Sequence, residues 1–143
     1  MGKIRSIELR NFGLLKVVDE EEESSTASPT GYFLRPGKIN FLETTNRIVG
    51  NKGVRFGIEY FIIGKSDQEE SVEFTCKITH PPMTKPKTNK QQSHIEETKL
   101  NYTNLVSNDY YAFEYDWEIV QGQWVFELME GSNLLFKKSF EVV

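Results

Sequence analysis

An alternation of period two constrains this chain more than any other feature. Val54, Phe56, Ile58, Tyr60 and Ile62 share one parity, with Arg55, Gly57 and Glu59 between them. Val72, Phe74, Cys76 and Ile78 alternate with Glu73, Thr75, Lys77 and Thr79. Tyr111, Phe113, Tyr115, Trp117 and Ile119 alternate with Ala112, Glu114, Asp116 and Glu118. Successive side chains of a strand point to opposite faces, so each run describes a strand with one buried and one wet face. No apolar stripe at i, i+3, i+4, i+7 persists for three turns, and long helices are not expected.

Other strands read less cleanly. Ile4 to Val18 is extended, but its parity wavers around Asn11-Phe12-Gly13, which predicts a bulge or bend there. Ile39 to Thr45 is a short strand candidate, and Leu134, Phe136, Phe140 and Val142 close the chain. Lys138 falls on the apolar parity of that last run, a place suited to a sheet margin where its stem lies on apolar surface. Gln121-Gly122 and Gly131-Ser132-Asn133 both read as hairpin turns, making the last third a three-strand meander. Gly57, inside a strand, implies close approach by another group, with Trp124 or another ring as the expected cover.

Two stretches carry no period. Asp19 to Thr30 is acidic and then rich in Ser, Thr and Pro, and Pro81 to His94 is polar with three prolines. Both read as flexible surface loops, near 19–30 and 81–94. At 143 residues the chain suits one domain, and surface scaling leaves roughly two-thirds of its area buried, enough for a core without staples. The expected fold is therefore all-β: a single immunoglobulin-like antiparallel β-sandwich of about seven or eight strands over residues 1–143.

Charge and composition narrow the function. A net charge of −4 and no basic stripe argue against nucleic acid as a partner. No run approaches the ~18 apolar residues of a membrane helix. The N-terminal residues carry no apolar signal segment, and the single cysteine, Cys76, excludes an internal disulfide. Both features leave a cytoplasmic location open, or a periplasmic one if a signal was removed.

Several residues suggest chemistry, and packing competes with each reading. Tyr110 to Gly131 holds seven aromatic residues in 22 positions, and their regular parity makes them half of a core. Tyr32 and Tyr110 lie outside the core parity and are the candidate ligand contacts, able to stack on sugar rings if they face solvent. Cys76, His80 and His94 have a Cys-x3-His-x13-His spacing, but Cys76 has core parity and no fourth ligand is evident, so no metal is expected. Asp19 to Glu23 supplies five consecutive carboxylates, which cannot converge on one calcium ion and read as a solvated loop. Glu114, Asp116 and Glu118 fall on one strand face, where two carboxylates could in principle flank a glycosidic bond. No nucleophile elbow, phosphate loop or dinucleotide pattern accompanies them. Asn101-Tyr102-Thr103 matches a glycosylation sequon, a weak signal.

The stretches "TTNRIVGNKGVRFGIEYFIIG", "HPP" and "AFEYDWEIVQGQWVFELMEGSNLLFKKSFEV" resemble the bacterial family described as domain of unknown function 3859. The resemblance runs over roughly residues 30 to 143 and is most specific in the Gly-x-Trp-x-Phe-Glu run of Gly122, Trp124, Phe126 and Glu127. It implies an immunoglobulin-like fold and brings no activity or cofactor. The expected function is a non-catalytic binding or protein-interaction module, without cofactors, contacting a protein partner through an edge strand or the Pro81–His94 segment. The alternative is a carbohydrate-binding module with a glycan on exposed aromatics.

Overall fold

A computed structural model describes residues 2–143. Among them the elements are β1 (Ile4–Val18), β2 (Glu21–Ser24), β3 (Tyr32–Arg35), β4 (Lys38–Glu43), β5 (Arg47–Ile48), β6 (Arg55–Gly64), β7 (Ser71–Lys85), β8 (Lys90–Tyr102), β9 (Val106–Ala112), β10 (Gly122–Glu130) and β11 (Asn133–Val142). One sheet has the order β4-β1-β6-β9 and the second β5-β11-β10-β7-β8; β2 and β3 form a separate hairpin. All pairings are antiparallel except the short β5–β11 pair. The chain is all-β, as its alternation predicts, with eleven strands among the described residues rather than seven or eight.

The alternating positions build the core between the sheets. Phe56, Ile58, Tyr60 and Ile62 of β6 are fully buried, and so are Trp124, Phe126 and Leu128 of β10 on the opposite sheet. Phe56 is the hub: its ring centroid lies 5.4–6.5 Å from those of Tyr111, Phe113, Trp124, Phe126 and Phe140. Tilted and edge-on ring pairs add to the area term that dominates such a core. The bend expected in β1 exists, because the β1–β6 register shifts between Leu9 and Asn11. Lys138 takes the inner parity of β11, with Nζ 3.8 Å from the Phe12 ring centroid and bonded to Asn46. Desolvation there lowers its affinity for a proton.

Three local readings are overturned. The alternating run from Tyr111 does not continue as strand; β9 ends at Ala112, and Asp116–Glu118 form a short 3-10 turn. Gln121-Gly122 is not a hairpin turn, since β9 pairs with β6 in one sheet while β10 lies between β7 and β11 in the other. Gly122, at φ +133°, leads the chain between sheets, and a Cβ on it would stand 2.8 Å from Pro81 Cγ. The expected loops are also largely strand. Pro81–Lys85 ends β7 and Lys90–His94 begins β8, while Glu21–Ser24 is β2. The Pro81-Pro82 pair fits because the β7–β8 register breaks between Thr79 and Met83, and an interrupted ladder tolerates residues that cannot donate.

His80 lies next to that break, buried and stacked on Trp124 with centroids 4.7 Å apart. Its Nδ1 meets the Pro81 carbonyl oxygen at 2.7 Å, while its Nε2 is buried without a hydrogen-bond partner among the described residues. Burial depresses the proton affinity of the ring, and the Pro81 carbonyl only partly offsets this. An unfolded histidine titrates near 6.5, above the folded group, so the unfolded chain binds the proton more readily. The contribution of His80 to stability is then complete above that pH and lost as pH falls below it. Urea denaturation at pH 7.5 and 5.5 should show the midpoint falling in the wild type and falling less in His80→Phe. Equal drops in both would assign the acid sensitivity elsewhere.

Candidate functional site

The two sheets leave one side of the sandwich open. β8 is the edge of one sheet and β9 the edge of the other, and the short turn between them holds both on that side. The β2–β3 hairpin lies across the gap. Its base is closed by the β1–β4 ladder and by the Gly37 N–H donating to the Val18 carbonyl. Among the described residues no backbone hydrogen bond joins it to β8 or β9, and only side chains hold it across the gap. Arg35 of β3 grips Glu23 of β2 through Nε and Nη2, at 2.9 and 3.1 Å, and also pairs with Glu97 of β8. Glu20, just before β2, accepts from Arg55 Nε at 2.9 Å and from the Tyr110 hydroxyl at 2.8 Å. Burial pushes the Glu20 carboxyl up, but donation from Arg55 and Tyr110 outweighs it and leaves the group below its ordinary range. Tyr32 of β3 donates its hydroxyl to Glu114 Oε1 at 2.7 Å, with the Tyr115 hydroxyl at 3.5 Å.

Beneath the hairpin is a cavity of about 70 Å³. On the core side it meets Cys76, Ile78 and Ile95, and on the hairpin side Thr30, Tyr32 and Phe33. Tyr110, Tyr111 and four carboxylates, Glu97, Asp109, Glu114 and Glu118, also line it. Three of these acids are engaged. Arg35 pairs with Glu97, and Asp109 accepts from Lys99 Nζ at 3.0 Å and from the Tyr60 hydroxyl at 2.7 Å. Attraction to Asp109 outweighs burial and holds the Lys99 ammonium more firmly protonated than usual. Glu118, 1% exposed, accepts from the backbone N–H groups of Glu114 and Tyr115 at 3.1 and 2.9 Å and from the Tyr111 hydroxyl. Desolvation nevertheless keeps its carboxyl above the ordinary glutamate range. Glu114 forms no ion pair among the described residues.

The structure therefore brings Tyr32 and Tyr110 together at one cleft, but not as an exposed platform. Both are half-buried, and burial followed by the hydrogen bonds to neighbouring groups raises the proton affinity of each hydroxyl well above that of free tyrosine. The Glu114/Asp116/Glu118 row is broken up: Glu114 lines the cleft, Glu118 is buried, and Asp116 is exposed on the turn. Tyr115 and Trp117 leave the sheet with it and stack at 5.7 Å and 14°, Tyr115 being 44% exposed. Cys76 and His80 are buried and His94 is exposed, and no three His, Cys, Asp or Glu side chains among the described residues form a metal-holding group. Burial pushes the Cys76 thiol far up, which removes it as a nucleophile at neutral pH. In the sequon, Asn101 is half-buried with its Nδ2 donating to Ser107, and Thr103 is buried. Sequence reasoning missed Arg35, Arg55, Glu97 and the Lys99–Asp109 pair. Their partners are distant or on another strand, and no local spacing marks them.

The same architecture is known from a crystal structure of an immunoglobulin-like protein of Pseudomonas aeruginosa. It aligns with a TM-score of 0.68 at 21% identity, covering 99% of this chain and all of the other. The fold is thus an immunoglobulin-like β-sandwich. The profile of a family described as domain of unknown function (DUF3859) matches residues 4–142, and the chain belongs to that family. The match begins at β1 rather than near residue 30, so the first strand and the hairpin fall within its span. No curated protein matches the chain. No helix among the described residues is long and apolar enough to cross a membrane.

Proposed function

We propose that this protein is a non-catalytic binding module that engages a protein partner at the cleft between β8 and β9. One observation carries the reading: the β2–β3 hairpin closes the cleft through side chains alone, while the outer backbone edge of β9 stays unpaired among the described residues. An unpaired edge beside a preformed pocket suits an extended peptide, whose backbone adds to the edge while one side chain fills the pocket. The absence of catalysis is part of the proposal and draws on how the polar groups are used. Glu118 is committed to three donors, and the Cys76 thiol is held protonated.

A carbohydrate-binding module is the second reading, now resting on Tyr115 and Trp117 rather than on Tyr32 and Tyr110. Amide NMR shifts separate the two. A pool of extended peptides should perturb residues 106–112 and 21–35 together, while neutral oligosaccharides leave them unmoved. Shifts confined to Tyr115 and Trp117 on adding oligosaccharide would favour the second reading, and silence from the peptide pool would count against the first.

A further inference from the structure

We propose that the cavity beneath the hairpin is a site for an alkylammonium group, supplied by a lysine side chain of the partner or by a small free amine. The lysine form rests on the interaction reading above, and the free-amine form does not. Size is the first argument. At about 70 Å³ the cavity is well above the roughly 10–15 Å³ minimum for a single water, so it admits a small ligand or the end of a side chain. A four-carbon stem with its nitrogen is a ligand of that class.

Chemistry is the second argument. Cys76, Ile78, Ile95 and Ala112 give a stem apolar surface, and Tyr110 and Tyr111 add aromatic lining beside it. Charge then selects among ligands of this size. Of the four carboxylates, Glu97 pairs with Arg35, which it shares with Glu23, Asp109 pairs with Lys99, and Glu118 is taken up by three hydrogen bonds. Glu114 and Glu118 both face the cavity with no cation in contact among the described residues. Glu118 already accepts from three donors, whereas Glu114 accepts only from Tyr32 and has oxygen capacity to spare. An anion entering there meets repulsion, and a neutral alkyl group leaves Glu114 as it was. An ammonium group gains a Coulombic partner in a partly desolvated site, where such a contact is stronger than in water. Because Tyr32 ties the hairpin to Glu114, occupancy should also be felt along β3.

The test is an NMR titration at constant ionic strength with n-butylammonium, n-butanol and n-butyrate. Butylammonium should give saturable shifts at Cys76, Ile78, Ile95, Tyr111 and Tyr32. Butanol should bind about tenfold more weakly and butyrate not at all. Glu114→Gln keeps an acceptor for Tyr32, so the hairpin stays latched. It should remove the preference for butylammonium and leave butanol binding unchanged. Equal binding of butanol, or butylammonium shifts that never saturate, would overturn the proposal. An extended peptide carrying lysine and its norleucine counterpart identify the source. Preference for the lysine peptide makes the partner the source, and equal binding of both at β9 with butylammonium in the cavity makes it a free amine. Equal peptide binding with no butylammonium site overturns this proposal and leaves the interaction module standing. A butylammonium site with neither peptide bound does the reverse.

Discussion

Gly57→Ala will destabilise the protein by about 3 kcal/mol or more, lowering its melting temperature by roughly 10 °C. The reason is backbone proximity. A Cβ on Gly57 would lie 2.2 Å from the Asp109 carbonyl oxygen, 2.6 Å from Tyr110 Cα and 2.7 Å from Tyr110 Cβ. The expected cover by Trp124 is replaced by the neighbouring strand itself, since Gly57 pairs with Tyr110 in the β6–β9 ladder. Flexible side-chain ends can swing away, but backbone atoms on either side of one peptide bond move only with their strand. β6 is also paired on its other side by β1, with Gly13 opposite Gly57, so it has no free direction in the sheet plane. The damage should reach the cleft, because Asp109 and Tyr110 both line it. Thermal unfolding followed by circular dichroism checks the claim. A melting temperature within about 2 °C of wild type would show that β9 retreats at little cost.

How much of this was legible depends on the range of the interaction. Alternation is a local pattern, and the faces of β6 and β7 follow it: Phe56, Ile58, Tyr60, Val72, Phe74 and Ile78 are all buried. The same pattern misled after Phe113. Tyr115, Trp117 and Ile119 continue the parity, but the Glu118 carboxylate turns back to the N–H groups of Glu114 and Tyr115 and bends the chain. Nothing in the spacing distinguishes that glutamate from one on a wet strand face. Gly122 has the unusual backbone that a glycine at that point suggests, at φ +133°, yet glycine alone does not say whether the next strand pairs in the same sheet. Prolines at 81 and 82 argued for loop, and their tolerance comes from a break in the β7–β8 ladder that only the partner strand reveals.

The cleft was half legible. Tyr32 and Tyr110 stand out because they lie off the core parity, and both line the cavity. Their geometry was not readable, since it depends on Glu114 and Glu20, and Glu20 lies 90 residues from Tyr110. The acidic run reads in sequence as uniformly solvated. Glu21, Glu22 and Glu23 are exposed, but Glu20 turns inward to meet Arg55. An acidic run shows its net charge in sequence and hides which member finds a cation.

Glu118→Ala should cost about 4 kcal/mol, against about 1–2 kcal/mol for Glu118→Gln. Alanine leaves the Tyr111 hydroxyl without its acceptor in a buried site and frees the N–H groups of Glu114 and Tyr115. Glutamine keeps an oxygen for the two N–H groups and loses mainly the charge. The loss in Glu118→Ala should shrink when Tyr111→Phe is added, because the stranded hydroxyl is then gone, so the double variant should lose less than the sum of the two single ones. Simple additivity would mean that the tyrosine finds another partner. pH supplies an independent check. Desolvation holds the folded Glu118 carboxyl above its ordinary 4.5, so the folded state binds this proton more tightly than the unfolded chain. Stability from this group is therefore complete below that value and lost as pH rises through the folded one, the opposite sign to His80. Glu118→Gln should flatten that rising-pH loss and leave the acid limb set by His80 intact. The turn that Glu118 closes also sets Glu114 and Tyr115 against Tyr32, so a variant that melts it should release the hairpin as well. Faster hydrogen exchange across Glu21–Arg35 in Glu118→Ala would show that the cleft and the turn open as one unit.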